Sequence, residues 1–163
     1  MQRDRNLIPL SHQHQHALAL CVRLDRSLKG GTRTPEELDA WQAEIEQLFQ
    51  NEIRYHFEAE EKVLFPAARR QGGLRILVDE LLAEHVRLRA LAQRATIRSL
   101  DAAGLQGFAD ALSAHIRKEE RHLFEQCQAL LPAAELERLG GALEQYFQAS
   151  GMPGASCALR PER

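Results

Sequence analysis

The sequence has few cysteines and no long apolar segment. Cys21, Cys127 and Cys157 are widely spaced and none belongs to a C-x-x-C pair, which argues against a zinc finger or a thioredoxin-type site. Cys21 and Cys127 are most simply small core residues. No run approaches the roughly 18 apolar residues of a membrane span, and the N-terminus lacks the apolar stretch of a signal peptide. We therefore expect a cytoplasmic protein without a membrane partner.

The chain also lacks an excess of basic charge. Its formal net charge is -2, and arginines such as Arg69, Arg70 and Arg89 are interleaved with acids rather than clustered on one side. This distribution gives no basic surface for nucleic acid. A hydrophobic fraction of 44% in 163 residues is enough to build the core of a single domain.

Strand-like alternation is absent, whereas apolar residues recur at intervals of three and four throughout. Thr34, Pro35 and Glu37 together form a typical helix start with a capping box. We predict an all-α fold, an antiparallel up-down-up-down four-helix bundle with a short additional C-terminal helix. The expected helices span about 11–29, 35–66 (or beyond Pro66 with a kink), 74–98, 102–130 and 133–149. Residues 1–149 would form one domain, and 150–163 a disordered tail rich in glycine and proline.

One ten-residue pattern occurs twice. Residues 56–65 read HFEAEEKVLF and residues 115–124 read HIRKEERHLF, so that both follow H-x-x-x-E-E-x-x-L-F. Each copy follows a helix that carries an inward histidine of its own. This internal repeat predicts two helical hairpins related by a pseudo-two-fold axis, with the two motifs facing each other.

The motif residues fall on the apolar stripes of their helices. His56 and Glu60 lie one turn apart within the stripe of the second helix, and His115 and Glu119 repeat this arrangement in the fourth. His85 continues the stripe of the third helix. Among the histidines of the HQHQH segment, His14 aligns best with the stripe of the first. The six predicted inward-facing residues are His14, His56, Glu60, His85, His115 and Glu119.

A lone histidine on an apolar stripe is more often a core residue than a metal ligand, but a buried glutamate needs a counter-charge. The inner stripes offer imidazoles rather than lysine or arginine, and neutral imidazole cannot neutralise a carboxylate. A metal ion would do so. Glu61 and Glu120 are rotated by about 100° from the ligand face and are expected to face solvent or a neighbouring helix. Whether His12, His16 or His122 adds a ligand stays open, with a rim position favoured for His122.

Four histidines and two glutamates are too many ligands for one structural zinc ion, which prefers four. Two carboxylates that bridge a pair of ions, together with an oxo or hydroxo group, would leave about two octahedral positions open for a small molecule. Imidazole combined with carboxylate suits iron best, while manganese and zinc are also compatible. The sequence therefore predicts two iron ions, with zinc or manganese as alternatives.

The pattern H…HxxxE…H…HxxxE in a four-helix bundle resembles the hemerythrin-like family, also called the HHE cation-binding domain. The resemblance covers about residues 8–130 and implies a non-haem di-iron centre. By position, His14, His56, His85 and His115 would ligate iron, and Glu60 and Glu119 would bridge the two ions. The neighbouring histidines could replace His14 after a small register shift. Ferritin-like di-iron oxidases differ, because they use Glu-x-x-His.

The sequence departs from that of the oxygen-carrying hemerythrins at two positions. Arg89 stands four residues after His85, where those proteins have a further histidine, and Glu119 replaces an aspartate. This departure disfavours stable reversible oxygenation. It favours sensing or turnover of oxygen, nitric oxide or peroxide, or the handling of iron.

We therefore expect a non-haem di-iron protein that binds iron and a small ligand (oxygen, nitric oxide or peroxide) for sensing, storage or stress response. Two alternatives stay open: a di-iron enzyme that turns over oxygen or peroxide, and a metal-stabilised protein-interaction module. Binding is favoured over catalysis. The sequence does not identify the redox partner, the pathway or the oligomeric state, because the fifth helix could pack on the bundle or on another subunit.

Overall fold

The computed structural model describes residues 2–151, and all regular elements in this range are helical. We number five helices. Helix α1 is Ile8–Lys29, α3 is Arg75–Thr96 and α5 is Ala133–Ala149. Helix α2 (35–69) joins α-helical Pro35–Leu48, Arg54–Ala59 and Phe65–Arg69 through π-helical Phe49–Ile53 and Glu60–Leu64. Helix α4 (102–130) joins Ala102–Lys118 and Phe124–Leu130 through π-helical Glu119–Leu123. Most of the expected tail, 152–163 with Cys157, lies outside the described residues.

Helices α2 to α5 begin within one residue of the positions that the sequence predicts, whereas α1 begins at Ile8 rather than at about residue 11. The Glu37 backbone N–H donates to Thr34 Oγ1 at 3.2 Å, and the Thr34 N–H donates to Glu37 Oε2 at 2.8 Å, which completes the capping box of α2. Asp101 caps α4 by accepting a hydrogen bond from the Gly104 N–H at 2.7 Å. These two caps set where the motif-bearing helices start.

Both copies of the repeated motif contain a π-helical turn. The Phe65 N–H donates to the Glu60 carbonyl and the Phe124 N–H donates to the Glu119 carbonyl, so each hydrogen bond spans five residues. Such turns fit one extra residue into the helix. Proline is not their cause, because the second copy has Glu125 at the position that corresponds to Pro66. Helix α2 in fact continues past Pro66 to Arg69.

A polar layer separates two apolar clusters along the bundle. One cluster includes Leu10, Leu64, Leu81 and Leu123, and the other includes Ala17, Ile53, Leu88 and Leu112. Chain numbering therefore runs from the first cluster to the second in α1 and α3, and from the second to the first in α2 and α4. This order establishes the up-down-up-down arrangement, and the all-α fold class is confirmed.

Helix α5 packs on the bundle of the same chain. Its apolar residues Leu136, Leu139, Leu143 and Phe147 belong to the first cluster, and its Tyr146 hydroxyl donates to Glu58 Oε2 of α2 at 2.7 Å. The apolar spacing of α5 alone did not decide between this placement and another subunit. Among the described residues, no helix is both long and apolar enough to cross a membrane.

Candidate metal centre

The polar layer consists of the six residues that the sequence predicts to face inward. One histidine comes from each of the four bundle helices, and one glutamate comes from each of α2 and α4. All six side chains are buried: His14, His56, Glu60, His85, His115 and Glu119. The structure thus brings together every predicted ligand, including His14 rather than another histidine of the HQHQH segment.

The six side chains form two groups that share both glutamates. In the first group, ligand atoms of His14 and His56 lie within 4.8 Å of one another and of Glu60 and Glu119. In the second group, ligand atoms of His85 and His115 lie within 4.8 Å of one another and of the same two glutamates. This arrangement gives two candidate ion positions that share both carboxylates. We call them the His14/His56 position and the His85/His115 position.

Each shared carboxylate presents one oxygen to each position. The closest distances are 3.3 Å from His56 Nε2 to Glu60 Oε1, 3.4 Å from His85 Nε2 to Glu60 Oε2, 3.1 Å from His14 Nε2 to Glu119 Oε2 and 3.2 Å from His115 Nε2 to Glu119 Oε1. Each of the two glutamates therefore faces histidines of both candidate positions.

The glutamate oxygens are buried without hydrogen bonds. Both carboxylate oxygens of Glu60 and both of Glu119 lack a hydrogen-bond partner, and their nearest polar neighbours are the imidazoles of the centre. A buried carboxylate without such bonds is costly unless a cation compensates it. Oxygen and imidazole nitrogen are the donors that iron, manganese and zinc accept. The residues present thus fit a metal site.

Hydrogen bonds at Nδ1 turn the opposite nitrogen of each histidine into the centre. The acceptors are Glu120 Oε1 for His14 at 2.7 Å, Gln13 Oε1 for His56 at 2.7 Å, Glu61 Oε1 for His85 at 2.8 Å and Glu84 Oε2 for His115 at 2.8 Å. Because carboxylate and amide oxygens only accept hydrogen bonds, the Nδ1 atom of each histidine must carry the hydrogen. Each Nε2 then faces the centre, where it is free to ligate a metal once any proton on it is displaced.

These four hydrogen bonds close a ring around the bundle. Each acceptor is adjacent in sequence to an inward residue of its own helix, but it binds the histidine of a neighbouring helix. The bonds join α1 to α2, α2 to α3, α3 to α4 and α4 to α1. Glu61 and Glu120 therefore face neighbouring helices, one of the two expected placements.

Three cations stand behind the three carboxylate acceptors. Arg3 pairs with Glu120 at 2.6 Å and Arg89 pairs with Glu61 at 2.8 Å, while Lys118 pairs with Glu84. Burial opposes ionisation of Glu61, but its contacts with His85 and Arg89 outweigh burial and lower its pKa to about 2. The acceptors therefore stay ionised at neutral pH.

Aromatic rings enclose the histidines. Phe57 stacks on His85 with ring centroids 3.8 Å apart, and Phe65 stacks on the same imidazole at 5.3 Å. Phe124 stacks on His14 at 5.5 Å. Phe65 and Phe124 are the final residues of the two motif copies, so the L-F end of each motif packs on a histidine of a neighbouring helix.

The remaining histidines in question stay outside the centre. His12, His16 and His122 are exposed, and none belongs to either His/Glu group. His16 instead contacts Glu52 at 3.0 Å on the surface between α1 and α2. The rim position predicted for His122 agrees with its exposure.

Without a metal, protonated imidazoles supply the counter-charge. Burial disfavours the imidazolium of His14, but its contacts with Glu119 and Glu120 outweigh burial and raise its pKa to about 9. Burial is likewise outweighed at His115, where the charge of Glu119 raises the pKa to about 10. A metal ion must displace such protons, so binding should strengthen as pH rises.

A narrow cavity of about 10 Å³ adjoins the centre, roughly enough for one water-sized molecule. Three imidazoles, those of His14, His56 and His115, lie along it. Its apolar walls are Ala17, Leu48, Ile53, Phe57, Leu112 and Ile116. Glu52 and Leu48 also line a surface cleft of about 260 Å³ between α1 and α2, so the cavity adjoins this cleft.

The fold and the His/Glu groups define a helical-bundle protein with a metal-binding core. The family model described as the hemerythrin HHE cation binding domain matches residues 9–127. The chain belongs to this family, as the repeated motif indicates. Neither the curated proteins nor the solved structures contain a match to the chain.

Proposed function

We propose that the chain binds two iron ions and uses them to bind a small ligand such as oxygen, nitric oxide or peroxide. His14 and His56 would hold one ion and His85 and His115 the other, with Glu60 and Glu119 shared between them. The observation that carries this proposal is the pair of shared carboxylates, whose four buried oxygens have no hydrogen-bond partner.

Iron is proposed over zinc or manganese because of the donor set. Each position has two imidazole nitrogens and one oxygen from each of two carboxylates, and this mixed set suits iron. A closed four-coordinate zinc site needs no second ion and no shared carboxylate. When bound, an iron pair supplies open coordination positions and access to more than one oxidation state.

The residues of the chain limit what can reach the iron. The cavity beside the centre is mostly apolar and narrow, which suits a diatomic gas or peroxide better than a larger substrate. We therefore propose a ligand-binding role in sensing, storage or stress response.

The proposal can be tested by anaerobic reconstitution with iron(II), followed by optical titration with nitric oxide, oxygen and hydrogen peroxide. The wild-type protein should give a saturable spectral change with at least one of them. His56→Ala should lose most of this change, because one ion loses an imidazole. His122→Ala is the matched control, because His122 lies in the second motif but is exposed, and its response should equal that of the wild type.

Three results would contradict the proposal. Continued consumption of peroxide over many turnovers, abolished in His56→Ala, would identify an enzyme. Iron that binds without any spectral response to the three ligands would favour a metal-stabilised interaction module. A response that survives His56→Ala would place the ligand elsewhere.

A further inference from the structure

The two ion positions differ in one hydrogen-bond acceptor. At the His85/His115 position, both imidazoles donate from Nδ1 to carboxylates, those of Glu61 and Glu84. At the His14/His56 position, His14 donates to a carboxylate but His56 donates to the amide oxygen of Gln13. The two positions differ in the kind of acceptor and not in bond length, because all four hydrogen bonds are 2.7 or 2.8 Å long.

The internal repeat shows that Gln13 interrupts an otherwise regular pattern. Gln13 precedes His14 just as Glu84 precedes His85, and the two bind the corresponding motif histidines, His56 and His115. Elsewhere the pattern is kept, since Glu61 and Glu120 occupy equivalent places in the two motifs. Gln13 is therefore an amide at the one acceptor position where the pseudo-two-fold repeat predicts a carboxylate.

The acceptor at Nδ1 changes how strongly an imidazole binds a metal. A carboxylate at Nδ1 raises the basicity of the ring, and removal of such a partner typically lowers metal affinity by about 10- to 100-fold. An amide oxygen has no full charge and does this less. The ion pairs with Lys118 and Arg89 reduce the effect of the Glu84 and Glu61 carboxylates on imidazole basicity. The reduction is partial, because these cations contact the carboxylates and not the imidazoles.

The surroundings reinforce the difference. His85 is fully buried and stacked between Phe57 and Phe65. The cavity contacts both histidines of the His14/His56 position, together with Gln13, but only His115 of the His85/His115 position. The position with the weaker imidazole set is thus also the one with more contact with the cavity.

From these observations we propose that Gln13 makes the two positions unequal. The His85/His115 position holds its ion tightly, and the His14/His56 position holds an exchangeable ion next to the cavity. Gln13 acts as a positioning residue for His56 rather than as a ligand. This inference rests on the proposed two-ion centre.

The test compares the affinities of variants that bind a single ion. In any two-ion centre the shared carboxylates lower the affinity for the second ion, so the two binding steps of the wild type do not report the two positions directly. His56→Ala should leave only the His85/His115 position, and His85→Ala should leave only the His14/His56 position. Anaerobic calorimetric titration with iron(II) should give an affinity at least about 10-fold higher for His56→Ala than for His85→Ala. Circular dichroism would establish that both variants are folded.

Gln13→Glu then tests the cause. In the His85→Ala background, this change should raise iron(II) affinity by about 10- to 100-fold, because His56 gains a carboxylate partner. Gln15→Glu in the same background is the matched control. It adds the same charge at an exposed position of the same helix and should change the affinity by less than about 3-fold.

The outcomes separate this inference from the proposed function. Two ions per wild-type chain with equal single-ion affinities, or equal effects of Gln13→Glu and Gln15→Glu, would overturn the inference and leave the two-ion centre intact. Fewer than two ions in the wild type would overturn both. If His85→Ala does not fold, Gln13→Glu is made in the otherwise wild-type chain. It must then raise the iron(II) affinity of the weaker of the two binding steps, and an unchanged affinity would also refute the inference.

Discussion

The histidines of the centre have two roles that depend on whether a metal is bound. With Nδ1 hydrogen-bonded to the ring of acceptors, each imidazole can offer Nε2 either to a metal or to a proton. The raised pKa values of His14 and His115 reflect the attraction of the buried glutamates for positive charge. In the proposed centre, metal and proton would therefore compete for the same nitrogen atoms.

This competition predicts how the metal-free protein responds to pH. The pKa values of His14 and His115 in the folded chain, about 9 and about 10, lie above the ordinary value of 6.5. Their stabilising contribution is complete below pH 6.5 and is lost as pH rises through the folded-state pKa values. The free energy of unfolding, measured by urea denaturation, should fall from pH 7 to pH 9 without metal.

The metal-loaded protein is the control for this measurement, because its imidazoles hold no titrating proton at Nε2 and its stability should change much less over that range. The series should stop near pH 9, since burial raises the pKa of the Cys127 thiol to about 12 and this group adds its own pH dependence above its ordinary value of 9.0. Metal-free stability that is constant or rises from pH 7 to pH 9 would contradict the account.

At the scale of helices, the features that the sequence predicted are those that depend on periodicity. The six inward residues share the apolar stripe of their helices, so their placement depends only on the helical repeat. The apolar stripes do not predict the roles of Glu84 and Gln13, because each lies one residue off its stripe and its contact depends on the rotation of a neighbouring helix. A usable signal did exist: a carboxylate or amide directly beside each inward residue. The π-helical turns are not predicted, because a spacing of apolar residues at three and four indicates an α-helix and does not reveal one extra residue in a turn.

The docking of α5 also depends on a detail that apolar spacing does not reveal. Gly140 faces the N-terminal segment, where a Cβ atom would come within 2.8 Å of the Asn6 Cβ. Gly140 thus allows a close approach between α5 and the residues before α1. Gly141, by contrast, has open space around it.

These two glycines predict opposite effects of the same substitution. Gly140→Ala should destabilise the protein by about 1–3 kcal/mol, because the added methyl group forces Asn6 or α5 to shift. Gly141→Ala should be neutral or stabilise by up to about 1 kcal/mol, because alanine favours a helix where space allows. Urea denaturation of both variants checks this. Equal effects at the two positions would show that α5 does not pack against the N-terminal segment in this way.

At the scale of the whole molecule, a charged layer crosses the bundle between two apolar clusters. The clusters on either side contain buried side chains from all four bundle helices, so the fold does not depend on the metal alone. The layer nevertheless places two carboxylates and four imidazoles where a core would otherwise be apolar. Such a layer is unfavourable unless it binds something, and its symmetry matches the repeat in the sequence.

The most direct test of the central claim is the elemental metal content of the protein after reconstitution with iron(II) and removal of excess metal. The account predicts about two irons per chain in the wild type and in His122→Ala, and fewer than one in Glu60→Ala, because both positions lose an oxygen ligand. One zinc ion per chain, no bound metal, or a content that Glu60→Ala leaves unchanged would contradict the two-ion centre.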